Sequence, residues 1–146
     1  MPDCYLVDAS VMAKWFNKGE AHEEEALALR SAWIDGTLQI FGPSLIIYEV
    51  CNSIWKNPNV ERKLALSLAK LVLRLRPNLI EVGENESEES MELARKTKLT
   101  FYDSIYIVLS KSRKCPLITS DNEQLEIART YTASNHISNV RSLLRT

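Results

Sequence analysis

The sequence predicts an α/β fold: a single domain with a central parallel sheet flanked by helices. Short apolar runs alternate along the chain with segments of helical periodicity, a pattern typical of a parallel sheet that is covered on both faces. The chain has 146 residues and is 45% hydrophobic, so residues 1–146 are expected to form one domain with one core. Four Gly and five Pro are too few for a disordered or fibrous chain.

The first half of the chain contains two predicted strands and three predicted helices. The strands are short apolar runs, and the helices repeat apolar residues every three or four positions. Asp35-Gly36 and Asn57-Pro58-Asn59 are sequences that end regular elements. The predicted strands cover 4–7 and 38–41, and the predicted helices cover 10–16, 22–33 and 43–55.

The second half of the chain continues this alternation. A helix over 60–75 carries leucines on one face, with Leu66 and Leu73 off that face, which indicates either a well-buried helix or a surface for a partner. The segment 101–112 is apolar nearly all round and is expected to be a buried helix. Further helices are predicted over 87–96 and 122–131, and strands over 79–82, 116–120 and 136–138.

Cysteine usage and the lack of targeting signals predict a cytoplasmic protein. Cys4, Cys51 and Cys115 are an odd number of cysteines without a C-x-x-C spacing, so all three are expected to be reduced. The sequence has no basic start followed by an apolar run, and no apolar run near the ~18 residues that span a bilayer. We therefore expect no membrane association.

Two aspartates lie where parallel sheets place their ligands. Asp8 ends the first predicted strand, and Asp121 ends a later one after Leu117-Ile118-Thr119-Ser120. In α/β sheets, ligands bind just beyond the carboxyl ends of the strands. Both aspartates are therefore candidate site residues.

Two further acids lie in helices that are otherwise apolar. Glu49 shares one helical stripe with Asn52, Ser53 and Lys56, at spacings of three, four and seven residues. Asp103 is the only charge in the segment 101–109. A buried charge needs a partner or a metal ion, because burying it alone is costly.

Each of these acids also has a purely structural interpretation. Asp8 could stabilise a turn between strand and helix, and Asp103 could cap its own helix. Asp121 could be a helix N-cap in a capping box with Gln124, and Glu49 could pair with a buried arginine. Four such separate roles in one small domain are less expected than one shared site.

Convergence of the four acids would favour a divalent metal ion. Carboxylates ~4–5 Å apart repel by about 3–4 kcal/mol at an effective dielectric constant of ~20, so such a cluster takes up protons or a cation. Oxygen ligands without His or Cys suit Mg²⁺ or Mn²⁺, which activate water for attack on phosphorus. The hydroxyls of Ser10, Thr119 and Ser120 could hold the water or a phosphate.

Four short motifs follow one another in an order and spacing that are rather specific. They are Leu-Val-Asp-Ala-Ser, Glu-x-x-Asn, Tyr-Asp-Ser-Ile-Tyr-Ile and Ile-Thr-Ser-Asp. From Tyr5 to about Val140 the chain thereby resembles the PIN domain family, most closely its small single-domain proteins of the VapC toxin type. The resemblance implies a central parallel sheet flanked by helices and a metal-dependent ribonuclease that hydrolyses RNA phosphodiester bonds.

The resemblance also implies roles for individual residues and for partners. The matches to the family's catalytic, metal-binding acidic quartet are Asp8, Glu49, Asp103 and Asp121, and the matches to its supporting polar residues are Ser10, Asn52 and Thr119. Family members of this type usually form homodimers, and many are silenced by an antitoxin protein that fills the acidic groove. Some members carry a further acid after the last aspartate, and a corresponding role for Glu123 stays open.

Three other functions compete with this one. A PIN-like domain that binds RNA or protein without cutting has no reason to keep acids that repel one another. A phospho-acceptor receiver domain needs a lysine near its acids, where the later strand here supplies Asp121. A housekeeping RNA-processing nuclease, rather than a toxin, stays open.

The net charge of −1 does not exclude an RNA substrate. Setting aside the four site acids leaves 15 of the 19 acidic residues against 18 basic ones, and the basic residues are grouped. Six of them lie between positions 56 and 76, against one acid, and three lie at 111–114. We expect Lys56, Lys63 and Lys114 to contact RNA phosphates beside the acidic pocket.

Overall fold

The computed structural model describes residues 3–146, and these residues contain one parallel sheet. Its strands are β1 (Cys4–Val7), β2 (Gln39–Pro43), β3 (Asn78–Ile80), β4 (Leu117–Thr119) and β5 (Ser134–His136). They lie in the order β3-β2-β1-β4-β5, and each neighbouring pair is parallel. The predicted α/β class with a central parallel sheet is confirmed.

In the described residues, eight α-helices flank this sheet. They are α1 (Ala9–Met12), α2 (Glu23–Ile34), α3 (Leu45–Lys56), α4 (Arg62–Arg74), α5 (Glu84–Thr97), α6 (Phe101–Arg113), α7 (Asn122–Ala128) and α8 (Val140–Leu143). Single turns of 3-10 helix follow α1 at Ala13–Trp15 and precede α8 at Ile137–Asn139. The loops after β1 and β4 lead directly into α1 and α7, which places both helix starts at one edge of the sheet.

The core is built around the central strand and the most apolar helix. Leu6 and Val7 of β1 are fully buried, since this strand has a neighbour on each side. α6 packs against β1, β2 and β4, and every residue from Ser104 to Ser110 is buried. The predicted buried helix is confirmed, because a helix that is apolar all round is stable only inside the core.

α4 is only partly buried, so it is not the well-buried helix that is one of the two interpretations of its sequence. Val72 is buried, whereas Leu64 and Leu71 of the predicted apolar face are 45% and 43% exposed. The helix packs mainly against α3, and one neighbouring helix covers only a narrow stripe. Leu66 and Leu73, on the opposite face, are each 55% exposed, so α4 presents leucines on two sides.

Among the element boundaries that differ from the prediction, two are explained by side chains that cap the backbone. The ring Nδ1 of His136 accepts a hydrogen bond from the N–H of Ser138 (3.2 Å), which turns residues 137–139 away from the sheet. β5 therefore lies two residues earlier than the predicted strand. α5 begins at Glu84, before the predicted start at 87, because Oε1 of Glu86 accepts a bond from the N–H of Gly83 (3.2 Å).

The prediction of three reduced cysteines is wrong for two of them. Cys4 and Cys115 form a disulfide, with Cα atoms 5.4 Å apart, and Cys51 is free. The strand register that sets Leu6 beside Leu117 also sets the two cysteines beside each other. A separation of 111 residues hides this pairing from any rule based on spacing.

The predicted cytoplasmic location rests partly on three reduced cysteines, and the disulfide removes this support. Disulfides are rare in cytosolic proteins, although intracellular proteins of hyperthermophiles carry them. None of the helices in residues 3–146 combines the length and the apolar character that crossing a bilayer requires. A cytoplasmic location stays a prediction.

Candidate active site

The two strand-end aspartates lie at the same edge of the sheet. Because β1 and β4 are adjacent and parallel, Asp8 and Asp121 both emerge at the carboxyl edge. Asp8 is 5% exposed and caps α1 by accepting a hydrogen bond from the N–H of Ser10 (3.2 Å). Asp121 caps α7 by accepting one from the N–H of Gln124 (3.0 Å).

Hydroxyl groups tie the two strand ends together. The hydroxyl of Thr119 donates to Oδ2 of Asp8 (3.3 Å) and accepts from the N–H of Asp121 (3.0 Å). The hydroxyl of Ser10 lies 3.4 Å from Oγ1 of Thr119 and accepts from the N–H of Ser120 (3.1 Å). The side chains of Ser10 and Thr119 therefore lie with the aspartates, and Ser120 joins them through its backbone.

The other two acids come from helices. Glu49 lies in the second turn of α3, and Asp103 lies in the first turn of α6, three residues after the N-cap Thr100. The hydroxyl of Tyr106, one turn after Asp103, donates to Oε1 of Glu49 at 2.8 Å. Tyr106 is fully buried, so this bond joins α6 to α3 at a fixed place.

Burial and mutual repulsion shift the ionisation of these acids. Burial raises the pKa of Asp8, although hydrogen bonds from Ser10 and Thr119 lower it in part. The pKa of Glu49 is raised to about 7, mainly by burial and to a smaller extent by the charges of Asp8 and Asp103, while the hydrogen bond from Tyr106 opposes this rise.

Asp103 connects the four acids electrostatically. Its pKa is raised by burial first, then by Asp8 and more weakly by Asp121 and Glu123, against the lowering effect of Thr100. The four acids therefore form one coupled cluster, with Glu123 beside it. Burial and the same negative charges raise the pKa of the Tyr106 hydroxyl well above its usual value, so this group keeps its proton.

Two of the four acids have the structural roles that were considered for them. Asp8 and Asp121 do cap helices, whereas α6 is capped by Thr100, whose Oγ1 accepts from the N–H of Asp103 (3.1 Å). The partner of Glu49 is a tyrosine and not an arginine. The predicted capping box is only half formed, because the side chain of Gln124 donates to the carbonyl of Asp103 (3.2 Å).

No basic side chain balances this cluster in the described part of the chain. Within residues 3–146, no Lys, Arg or His side chain lies within 4 Å of any of the four carboxylates. Carboxylates and hydroxyls without His or Cys are the donors that Mg²⁺ and Mn²⁺ prefer. The donor set therefore fits a hard divalent cation.

The side chains are not yet arranged around such a cation. As they stand in residues 3–146, no three His, Cys, Asp or Glu side chains converge closely enough to hold a metal ion. Asp8 and Asp121 are turned towards their helix caps, and Glu49 is turned towards Tyr106. Coordination of a cation would require these side chains to rotate away from their present hydrogen-bond partners.

The remaining predicted residues are exposed and lie on α3, on α4 and at the end of α6. Asn52 and Lys56 are exposed on α3, one and two turns beyond Glu49. Lys63 is exposed near the start of α4. Lys114 is exposed at the far end of α6, about 16 Å along the helix axis from the acid on that helix. The structure thus places Asn52 and Lys56 near the site and Lys114 away from it.

Tyr106 and Gln124 contact the acids but are absent from the sequence-based set of site residues. Tyr106 follows Asp103 by three positions, so the two lie on one helix face and this spacing is the signal that identifies it. Gln124 carries no sequence signal beyond its place in a capping box, since its bond to Asp103 depends on how α7 packs against α6.

Comparison with known proteins places the chain in a family. The profile described as PIN domain matches residues 5–130. The protein named Exonuclease VapC9 from Pyrobaculum aerophilum is 27% identical over 128 residues, which are 86% of this chain and 86% of that protein.

Solved structures have the same fold. The PAE2754 protein of Pyrobaculum aerophilum has a TM-score of 0.68 and 25% identity, over 97% of this chain and 96% of its own. VapC20 of Mycobacterium tuberculosis, a sarcin–ricin loop cleaving toxin, has a TM-score of 0.61 and 18% identity, over 82% and 92%. VapBC2 of Rickettsia felis, bound to a DNA fragment from its promoter, has a TM-score of 0.64 and 14% identity, over 91% and 98%. The predicted resemblance to the PIN domain family is confirmed, and the chain belongs to this family.

Proposed function

We propose that this chain is a metal-dependent endoribonuclease and the toxin of a VapC-type toxin–antitoxin pair. The observation that carries the proposal is the cluster of four coupled carboxylates at the carboxyl edge of the sheet, with no basic side chain within 4 Å in residues 3–146. Such a cluster is costly unless a cation binds to it. Membership of the PIN domain family and the VapC relatives support the same reaction class.

Three of the acids would be metal ligands, and Glu49 would be either a further ligand or a proton acceptor. Asp8, Asp103 and Asp121 would hold Mg²⁺ or Mn²⁺, with Glu49 binding directly or through water. The bound ion supplies a Lewis acid for the phosphate and a lower pKa for the attacking water. If Glu49 binds the ion through water, its carboxylate would take up the proton of that water, and the hydroxyl of Tyr106, which donates to Oε1 of Glu49, would orient the carboxylate.

Metal-dependent cleavage of RNA tests the proposal. The wild type is expected to cut RNA with Mg²⁺ or Mn²⁺ and to stop when EDTA is added. Asp8→Asn and Asp103→Asn should each cut at least about 100-fold more slowly, because a lost ligand removes roughly 3 kcal/mol of transition-state stabilisation. Glu88→Gln, an exposed acid on α5, is the matched control. Equal rates in all four proteins would overturn the site.

A substrate without ends distinguishes cleavage within an RNA strand from degradation that starts at an end. One relative is named an exonuclease, and another is a toxin that cleaves the sarcin–ricin loop. A circular single-stranded RNA is open to an endonuclease and resists an exonuclease. We expect the wild type to open the circle. Degradation of only the linear form of the same RNA would show that the endonucleolytic part of the proposal is wrong.

Thermal unfolding separates an enzyme from a domain that binds RNA without cutting. A ligand that binds only the folded state raises the melting temperature by mass action. Millimolar Mn²⁺ is expected to raise the melting temperature of the wild type and not that of Asp8→Asn. No shift in the wild type would favour the binding-only function.

We infer that the RNA backbone follows α3 away from the acids. Glu49, Asn52, Ser53 and Lys56 share one stripe of this helix, and Lys56 borders a groove of about 420 Å³ lined also by Asn17, Ser53 and Asn57. Lys56→Glu should weaken RNA binding most and reduce its salt dependence by about one phosphate contact. Lys63→Glu should have a smaller effect, and Lys114→Glu the smallest.

We also infer a homodimer and an antitoxin partner. The exposed leucines of α4 are an apolar surface that a soluble protein covers with a partner. Light scattering on the purified protein is expected to give the mass of two chains. Co-expression with the product of a short adjacent gene is expected to suppress RNA cleavage, and its failure to do so would favour a housekeeping nuclease.

A further inference from the structure

We propose that Gln124 is a positioning residue that sets the separation between two acids of the site, Asp103 and Asp121. The inference rests on the proposed metal-dependent function. Gln124 is fully buried in the first turn of α7. Its backbone N–H donates to Oδ1 of Asp121 (3.0 Å), and its side-chain Nε2 donates to the backbone carbonyl of Asp103 (3.2 Å). One residue therefore contacts both acidic segments.

Neither nearness in sequence nor a shared secondary-structure element holds Asp103 and Asp121 together. They lie 18 positions apart in the sequence, one at the start of α6 and one in the loop after β4. The backbone N–H group of each acid bonds within its own segment. The N–H of Asp103 donates to Thr100, and the N–H of Asp121 donates to Thr119. The amide of Gln124 supplies a direct hydrogen bond from α7 to the segment that carries Asp103.

The other end of the amide indicates that this bond matters for the site. The orientation of the amide is determined, because the carbonyl of Asp103 accepts and only the NH₂ group of Gln124 can donate to it. The opposite atom, Oε1 of Gln124, is buried and has no hydrogen-bond donor within the described residues 3–146. A buried acceptor without a partner is unfavourable for stability.

Packing alone would favour an apolar side chain at this position. Methionine has nearly the volume of glutamine and leaves no buried oxygen unsatisfied. Gln124 packs beside Leu125 and Ala128, the other buried residues of α7. The bond to Asp103, and not filling of the core, therefore accounts for a glutamine at this position.

Substitution of Gln124 by methionine separates positioning from packing. Gln124→Met is expected to unfold at the same temperature as the wild type or higher when metal is absent, because the unsatisfied oxygen is removed. Its Kd for Mn²⁺, measured by isothermal titration calorimetry, should be about 10-fold higher or more, as is typical when a group that orients metal ligands is lost. Gln124→Leu serves in its place if the methionine variant does not fold.

A control removes a buried polar group elsewhere. Ser90→Ala on α5 deletes a hydroxyl that is almost fully buried and donates to the carbonyl of Glu86 (2.7 Å). Its Kd for Mn²⁺ should equal that of the wild type.

The two Kd values for Mn²⁺, of the wild type and of Gln124→Met, test the proposed function and the positioning role separately. If the wild type binds Mn²⁺ and Gln124→Met binds it with the same Kd, Gln124 has no positioning role, whatever its melting temperature. If the wild type itself does not bind Mn²⁺, the proposed function fails and this inference fails with it.

Discussion

The two edges of the sheet carry opposite kinds of chemistry on the same two strands. At the amino edge, the disulfide Cys4–Cys115 joins the segments that begin β1 and β4. At the carboxyl edge, about 13 Å away at 3.3 Å per residue, β1 ends at Asp8, and Asp121 lies in the loop after β4. One edge contains a covalent link, and the other contains like charges.

We therefore expect the amino edge of the sheet to contribute to stability and the carboxyl edge to contribute to function. The disulfide restricts the unfolded chain and lies at the opposite edge of the sheet from the site acids. Asp8, Glu49 and Asp103, whose pKa values are raised by burial, oppose folding until a cation or a proton neutralises them. Changes at the amino edge should therefore alter stability alone. Changes at the carboxyl edge should alter metal binding and, without metal, should often raise stability.

Removal of the disulfide is expected to have the largest effect. Cross-linking residues 111 positions apart stabilises the fold by about 4–5 kcal/mol in the chain-entropy description. The double variant Cys4→Ala/Cys115→Ala should melt about 10–20 °C lower, with the Kd for Mn²⁺ at 25 °C unchanged. Cys51→Ala controls for the loss of a thiol. Weaker Mn²⁺ binding in the double variant would show that the two edges are not independent.

Substitution of a repelling acid should act in the opposite direction. Asp103→Asn removes a partly buried charge that is repelled by Asp8, Asp121 and Glu123. Without metal, the variant should be more stable by about 1–2 kcal/mol after allowance for solvent screening, and stabilisation by Mn²⁺ should be lost. Urea unfolding with and without Mn²⁺ measures both effects. A less stable metal-free variant would mean that the bonds around Asp103 outweigh the repulsion.

The pH dependence of stability gives a third test at the carboxyl edge. The pKa of Glu49 is raised from 4.5 to about 7 in the folded chain. The stabilisation by its proton is therefore complete below pH 4.5 and is lost as the pH rises through 7. The shift corresponds to about 3 kcal/mol at full burial, and solvent screening of this partly buried group reduces it to about 1–2 kcal/mol.

The measurement compares two proteins over the same pH range without metal. The free energy of unfolding of the wild type should fall between pH 5 and 7.5 by more than that of Glu49→Gln, in which position 49 cannot titrate. Mn²⁺ affinity of the wild type should rise over this range, because the ligand must be deprotonated. Parallel stability curves for the two proteins would show that the pKa of Glu49 is not raised.

Local patterns predict the carboxyl edge better than the amino edge. Asp8 and Asp121 follow buried strands, and Asp103 is the one charge in the segment 101–109, so each is visible in a short segment. The pairing of Cys4 with Cys115 depends on strand register, which no short segment contains.

The other differences have the same physical cause. The apolar face of α4 is visible in the sequence, but the number of helices that cover it is not, and Leu64 and Leu71 remain exposed. The side chain of Gln124 bonds across to α6, although its sequence pattern predicts a bond to Asp121. Element type and strand-end chemistry are local properties, whereas burial and partners depend on packing between distant segments.

Loss of the hydroxyl of Tyr106 is expected to have the smallest effect and to act only through Glu49. This hydroxyl donates to Oε1 of Glu49 at 2.8 Å and lowers the pKa of that carboxyl. Tyr106→Phe should therefore raise the pKa of Glu49 further and move the pH midpoint of Mn²⁺ binding to a higher pH, by about half a unit to one unit for a bond worth about 1 kcal/mol.

The direction of this shift distinguishes orientation from packing. Phenylalanine fills the same buried space, so the metal-free melting temperature should change little. Above the new midpoint, Tyr106→Phe should bind Mn²⁺ as the wild type does. The same variant in the Glu49→Gln background should show no shift, because no carboxyl remains at position 49 to accept the bond. A shift of equal size in both backgrounds would place the effect of Tyr106 on another acid of the cluster.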